Sequence, residues 1–149
     1  VIFLADRISK IYILKIAELE NIVDIYLTNY LNLYLIWNKG IAFGLLSINE
    51  SLIYNSISLV IALIILTILV MLIKSNGLKR YSLILVLGGS LGNLFDRIYY
   101  SAVPDFIDFH IGNLHWFIFN VADIFITLGI ICLIYVEIFF NKQNNETRY

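Results

Sequence analysis

Long apolar runs, each broken by a few polar side chains, set the elements this chain predicts. Leu52 to Ile73 carries Asn55 and the hydroxyls of Ser56, Ser58 and Thr67 as its polar interruptions. At about 1.5 Å per helical residue it is long enough to cross a hydrocarbon core of roughly 30 Å. Tyr81 to about Ile98 starts equally apolar and then turns small and polar, with Gly88, Gly89, Ser90, Gly92, Asn93, Asp96 and Arg97. Phe117 to Phe140 places Asn120 and Asp123 near its beginning and Glu137 near its end. At the amino terminus only Val1 to Ala5 precede Asp6, so residues 1–16 read as the remaining part of a truncated first span. Four transmembrane helices are expected.

Ile22 to Trp37 is too polar to span and alternates loosely, with Tyr26, Asn29, Asn32 and Tyr34 among Ile, Leu and Val, which predicts short β-strands. Charge then orients the spans. Lys74, Lys79 and Arg80 lie between the second and third, and Lys142 and Arg148 follow the fourth, so these loops are expected on the cytoplasmic side. Regions 17–51 and 99–116 then face outward and both termini face inward. With no internal repeat and no Pro- or Ser-rich linker, the 149 residues read as a single domain.

Composition agrees with an integral membrane protein of the all-α class. The chain is 60% hydrophobic and 14% charged, and its mean hydropathy is +0.87. A net charge of −1 gives no basic excess for phosphate contacts, so nucleic acid is not an expected partner. Cys132 has no second cysteine with which to form an intrachain disulfide.

Orientation brings the polar residues to one level. The third span runs outward and ends on Asn93, Asp96 and Arg97, the fourth returns past Asn120 and Asp123, and Asp105 lies in the connection between them, 18 residues before Asp123. Ionisable groups at membrane depth are costly and tend to mark function. Two close carboxyls share a proton, one acting as base on a water while the other polarises a carbonyl. The competing reading is interfacial: aspartates near helix ends reach headgroups or cap helices, and the amides bond helix to helix. Gly88 and Gly92 form a GxxxG that favours close helix packing. His110 and His115, with Asp108 nearby, are five residues apart, poor ligand spacing on a helix, and read as interfacial histidines beside Trp116; no metal is expected.

Five segments resemble one family, lipoprotein signal peptidase, also called signal peptidase II. They are Asp6-Arg-Ile-Ser-Lys10, Asn38-Lys-Gly-Ile-Ala-Phe-Gly44, Gly88-Gly-Ser-Leu-Gly-Asn-Leu-Phe-Asp-Arg97, Val103-Pro-Asp-Phe106 and Phe119-Asn-Val-Ala-Asp123, in the family's order. The resemblance covers the whole chain. It implies a four-helix enzyme with a small extracytoplasmic β-cradle and a short outer helix, in the bacterial inner membrane. Such an enzyme cleaves prolipoproteins before the lipid-modified cysteine and needs no cofactor. It implies Asp105 and Asp123 as catalytic residues, Asn38, Asn93, Arg97 and Asn120 as substrate contacts, and Asp6 and Lys10 as support; Asp96 is read as structural. Gly40 is expected to permit a tight turn, and Phe43 to cover the site or touch lipid. Expected partners are a lipid-modified prolipoprotein and membrane lipids, with the chain a monomer. Arg7 departs from the family's more usual Gln, and Pro104 directly precedes the first catalytic aspartate. The alternatives are a small proton-linked transporter, disfavoured because the acids crowd at one side, and a noncatalytic lipoprotein-binding membrane protein.

Overall fold

The computed structural model describes residues 1–20, 22–40, 50–112 and 114–146. Four helices, α1 (Ile2–Glu20), α2 (Glu50–Lys74), α3 (Gly77–Tyr100) and α4 (Val121–Glu146), accompany one antiparallel sheet. Its strands β1 (Asp24–Thr28), β2 (Leu31–Asn38), β3 (Val103–Ile111) and β4 (Leu114–Phe119) lie in that order. No short outer helix occurs among the described residues, and Phe43 lies outside them.

Burial is inverted relative to a water-soluble protein. On α1 the buried positions Asp6, Lys10 and Ile13 follow the i, i+4, i+7 spacing of one helix face, while Leu4, Ile8, Ile11 and Tyr12 are exposed. Helix α2 exposes Leu59, Leu63, Leu66 and Ile73, and α4 exposes Leu128, Ile131 and Ile134. Apolar side chains facing outward around a charged interior need a lipid solvent. Tyr54–Lys74 and Val121–Phe139 are long and apolar enough to cross a membrane.

Missing side chains let the helices approach. A Cβ on Gly88 would lie 2.8 Å from Ile2, and one on Gly92 2.5 Å from Asp6 Oδ2, so the GxxxG face of α3 receives α1. Ile68, Leu83 and Val86 form one apolar cluster among α2, α3 and α4. Ile13, Val23 and Phe106 form another, which docks the end of α1 on the sheet.

Two segments differ from the sequence expectation. Phe117–Phe119, expected to open the last span, is not helical but the end of strand β4, which pairs with β3 from Ile107↔Phe119 to Ile111↔Leu114. The apolar run Trp116 to Phe119, separated from α4 by Asn120 alone, hides that boundary. The connection carrying Asp105 is not a solvated loop: it is strand β3, with Asp105 2% and Asp108 0% exposed. Pro104 is tolerated because it precedes the β3–β4 pairing, which leaves β3 an edge there.

Candidate active site

Helix α4 begins with reciprocal capping. The Asp123 backbone N–H donates to Asn120 Oδ1 at 3.1 Å, and the Asn120 backbone N–H donates to Asp123 Oδ2 at 3.1 Å. This is a capping box built from Asn and Asp. The Asn120 side-chain amide is then left to donate from Nδ2 to Asp105 Oδ1 at 2.6 Å. One fully buried asparagine therefore joins the carboxyl of β3 to the carboxyl of α4. The capping role weighed for Asp123 is real, and it fixes the side chain rather than removing it from the site.

The second oxygen of each aspartate is also held. Asn38, at the end of β2, donates from Nδ2 to Asp105 Oδ2 at 2.9 Å, while its Oδ1 accepts from the Gly40 N–H at 2.7 Å. That Asx turn puts Gly40 at φ +75°, a conformation that favours glycine. Asn93 on α3 donates from Nδ2 to Asp123 Oδ1 at 2.8 Å, and its Oδ1 accepts from Lys10 Nζ at 3.1 Å. Lys10, having only donors, fixes which way the Asn93 amide points.

Beneath Asn93 lies a charged cluster. Lys10 Nζ lies 2.9 Å from Asp6 and 2.5 Å from Asp96, and Arg7 pairs with Asp96 and, at 3.1 Å, with Asp6. Two acids and two bases balance, as buried charges require. The Arg7 guanidinium also lies over the Phe95 ring at 4.9 Å. Asp6 accepts the Ala122 N–H at 3.0 Å, so the cluster also satisfies a free N–H in the first turn of α4.

Arg97 is placed otherwise than its neighbours. It makes no ion pair within 4.0 Å among the described residues; Asp96, the nearby carboxylate it could have served, is taken by Lys10 and Arg7. Its Nη1 donates to the Asn93 carbonyl at 3.2 Å, and its buried Nε has no acceptor among the described residues.

Burial raises the Asp105 carboxyl from 3.8 to about 6, against the bonds from Asn38 and Asn120; the Asp123 charge adds to the rise. The sequence signals for Asn120–Asp123 as a cap and for Asp6–Lys10 as an ion pair are present as N-x-x-D and as i, i+4 spacing on α1, but the pairing of Lys10 and Arg7 with Asp96 on α3 is visible only in three dimensions. The three asparagines expected to contact substrate are each engaged with a catalytic-candidate carboxyl.

Together these features define a membrane protein with a buried polar site in which amides hold two aspartates. The family model described as signal peptidase (SPase) II matches residues 1–140. The lipoprotein signal peptidase of Pelagibacter ubique (strain HTCC1062) is 60% identical over 147 residues, 98% of this chain and 89% of that protein. That of Anaplasma phagocytophilum (strain HZ) is 42% identical over 97% of this chain and 92% of its own. A bacterial membrane enzyme solved by the in meso method at 1.9 Å superposes with a TM-score of 0.74 at 28% identity, covering 91% of this chain and 86% of that one. The chain belongs to the signal peptidase II family, and the resemblance read from its five segments holds. The transporter and binding-protein alternatives give way to an enzyme.

Proposed function

We propose that this protein is an aspartyl endopeptidase that removes the signal peptide of prolipoproteins by cleaving before the diacylglyceryl-modified cysteine. The observation that carries the mechanism is Asn120 holding Asp105 and Asp123 together in a buried site. Asp105, whose carboxyl is raised to about 6, brings the proton of the pair and donates it toward the scissile carbonyl. Asp123 removes a proton from the attacking water. The gem-diol intermediate collapses as Asp123 returns that proton to the leaving amine, the C–N bond breaks, and the former carbonyl oxygen gives its proton back to Asp105 as the C=O re-forms, restoring the singly protonated pair.

Arg97 offers its unpaired Nε to a substrate carbonyl. Asn38, Asn93 and Asn120 orient the carboxyls and reach the peptide from the same amides, while Asp6, Lys10 and Asp96 support them from below. Four spans with both termini cytoplasmic would set the site at the outer face of the inner membrane. The two apolar helices support that arrangement, as does the placing of the α1 and α3 charges inside the bundle. Asp105→Asn and Asp123→Asn should each abolish cleavage of a lipidated precursor, followed as a mass shift of the product. Near-normal cleavage by either variant would overturn the mechanism.

A further inference from the structure

The β3–β4 hairpin carries a second polar constellation, separate from the aspartate pair. The i,i+5 spacing of His110 and His115, poor on a helix, is irrelevant here because the two histidines are direct cross-strand partners on antiparallel strands. Asp108 lies two residues before His110 on the same buried face of β3. His115 Nδ1 is 2.7 Å from Asp108 Oδ2, His110 Nδ1 is 3.6 Å from the same oxygen, and the two imidazoles stack with centroids 5.5 Å apart. One ligand atom from each of the three residues falls within 4.8 Å of the others.

Unmet acceptors give the constellation its meaning. Among the described residues, Asp108 Oδ1 and His110 Nδ1 are buried without a hydrogen-bond partner, and so is Asn32 Oδ1 on β2, directly opposite Asp108 in the β2–β3 register. Buried polar atoms left unpaired cost free energy of the order of 1–3 kcal/mol each. Protonating both histidines would satisfy neither Asp108 Oδ1 nor Asn32 Oδ1, because no donor among the described residues reaches them. A cation would serve these acceptors together.

We propose that Asp108, His110 and His115 bind a divalent transition-metal ion of the zinc class, with Asn32 Oδ1 turned toward it. Two imidazoles and one carboxylate are ligands that zinc favours, at roughly 2.0–2.2 Å. His115, exposed on its outer side, supplies the adjustment that closes the triangle. The ion would clamp β4 to β3, the strand that carries Asp105 three residues upstream of Asp108. Its role is structural and lies outside the proteolytic chemistry.

Tag-free full-length protein in detergent, stripped with EDTA, should be titrated with Co(II) as a visible-absorption probe and then with Zn(II). The expected result is saturable binding of one Co(II) per chain, displaced by Zn(II), with a rise in unfolding temperature. His115→Ala should weaken binding by about tenfold or more; because it also removes the bond to buried Asp108 it lowers the metal-free unfolding temperature somewhat, so the readout is loss of the Zn(II)-induced rise measured against each variant's own metal-free value. Asp108→Asn should weaken binding likewise. Absence of saturable binding, or binding that His115→Ala leaves unaltered, would overturn the site.

Discussion

Asn120 donates to Asp105 at 2.6 Å with its side chain while its backbone N–H holds Asp123 at 3.1 Å, so the cap of one helix is also the spacer between the two acids. Helix initiation and site geometry therefore fail together. Asn120→Ala removes the cap, of the order of 1 kcal/mol, and a donor to a buried carboxyl, of the order of 1–3 kcal/mol. We expect a lower unfolding temperature in detergent and a fall in kcat of roughly a hundredfold, since misplacing a reacting group by about 1 Å has that scale of effect. Asn120→Asp retains an acceptor for the cap but brings a third carboxyl beside the pair; it should keep more stability than activity. Full activity in Asn120→Ala would separate the cap from the site.

The same residue shows how much was legible in the sequence. The cost of charge in an apolar chain and the positive loops gather Asp105 and Asp123 at one level together with Asp96 and Asp108, and the family resemblance singles out the pair. What could not be read was the use of the amides. Asn38, Asn93 and Asn120 look like free donors in one dimension, and each is engaged by a carboxyl from another element. Strand β3 was hidden for a related reason. Its inner residues from Val103 to Phe106 are buried at every position, so no alternation marks it, and Pro104 and two acids argue against a strand. The β1–β2 pair, with its looser alternation, was visible.

Asp105 predicts a pH dependence. Burial favours its protonated form, so a pair that must carry one proton loses activity as pH rises through an apparent value near 6 in the free enzyme, read from kcat/KM. The Asn38 amide favours the ionised form. Asn38→Ala should therefore move this alkaline limb upward; a limb unmoved or moved downward would contradict the assignment. Stability follows the same sign. The contribution from Asp105 is fully present below about pH 4 and is lost as pH rises through about 6.

The α3–α4 approach is fixed at Gly89, where a Cβ would lie 2.5 Å from the Ala122 carbonyl oxygen. A backbone atom of the first turn of α4 cannot yield without moving Asp123. Gly89→Ala should cost about 1–3 kcal/mol and lower cleavage, because α4 carries a catalytic-candidate residue. Gly77→Ala, with nothing within 4 Å of the added carbon, meets only the strain of its φ of +57° and should leave cleavage unchanged. A cleavage assay on both variants, with unfolding followed in parallel, tests the distinction.

Lys10 predicts a loss that is both structural and directional. It is fully buried between Asp6 and Asp96, and removing one partner of a buried ion cluster costs about 3–5 kcal/mol because the remaining charge has no solvent to meet it. Lys10→Met leaves Arg7 to face two acids, and it also removes the donor that sets the Asn93 amide. With that restraint gone, Asn93 can turn its oxygen toward Asp123, replacing a hydrogen bond by a repulsion. We expect lower stability together with a fall in kcat exceeding any change in KM. Pairing Lys10→Met with Asp96→Asn relieves the excess negative charge and should recover much of the unfolding temperature while leaving kcat low, because the Asn93 amide still lacks its restraint. Recovery of both together would show that Lys10 acts through the charge balance alone.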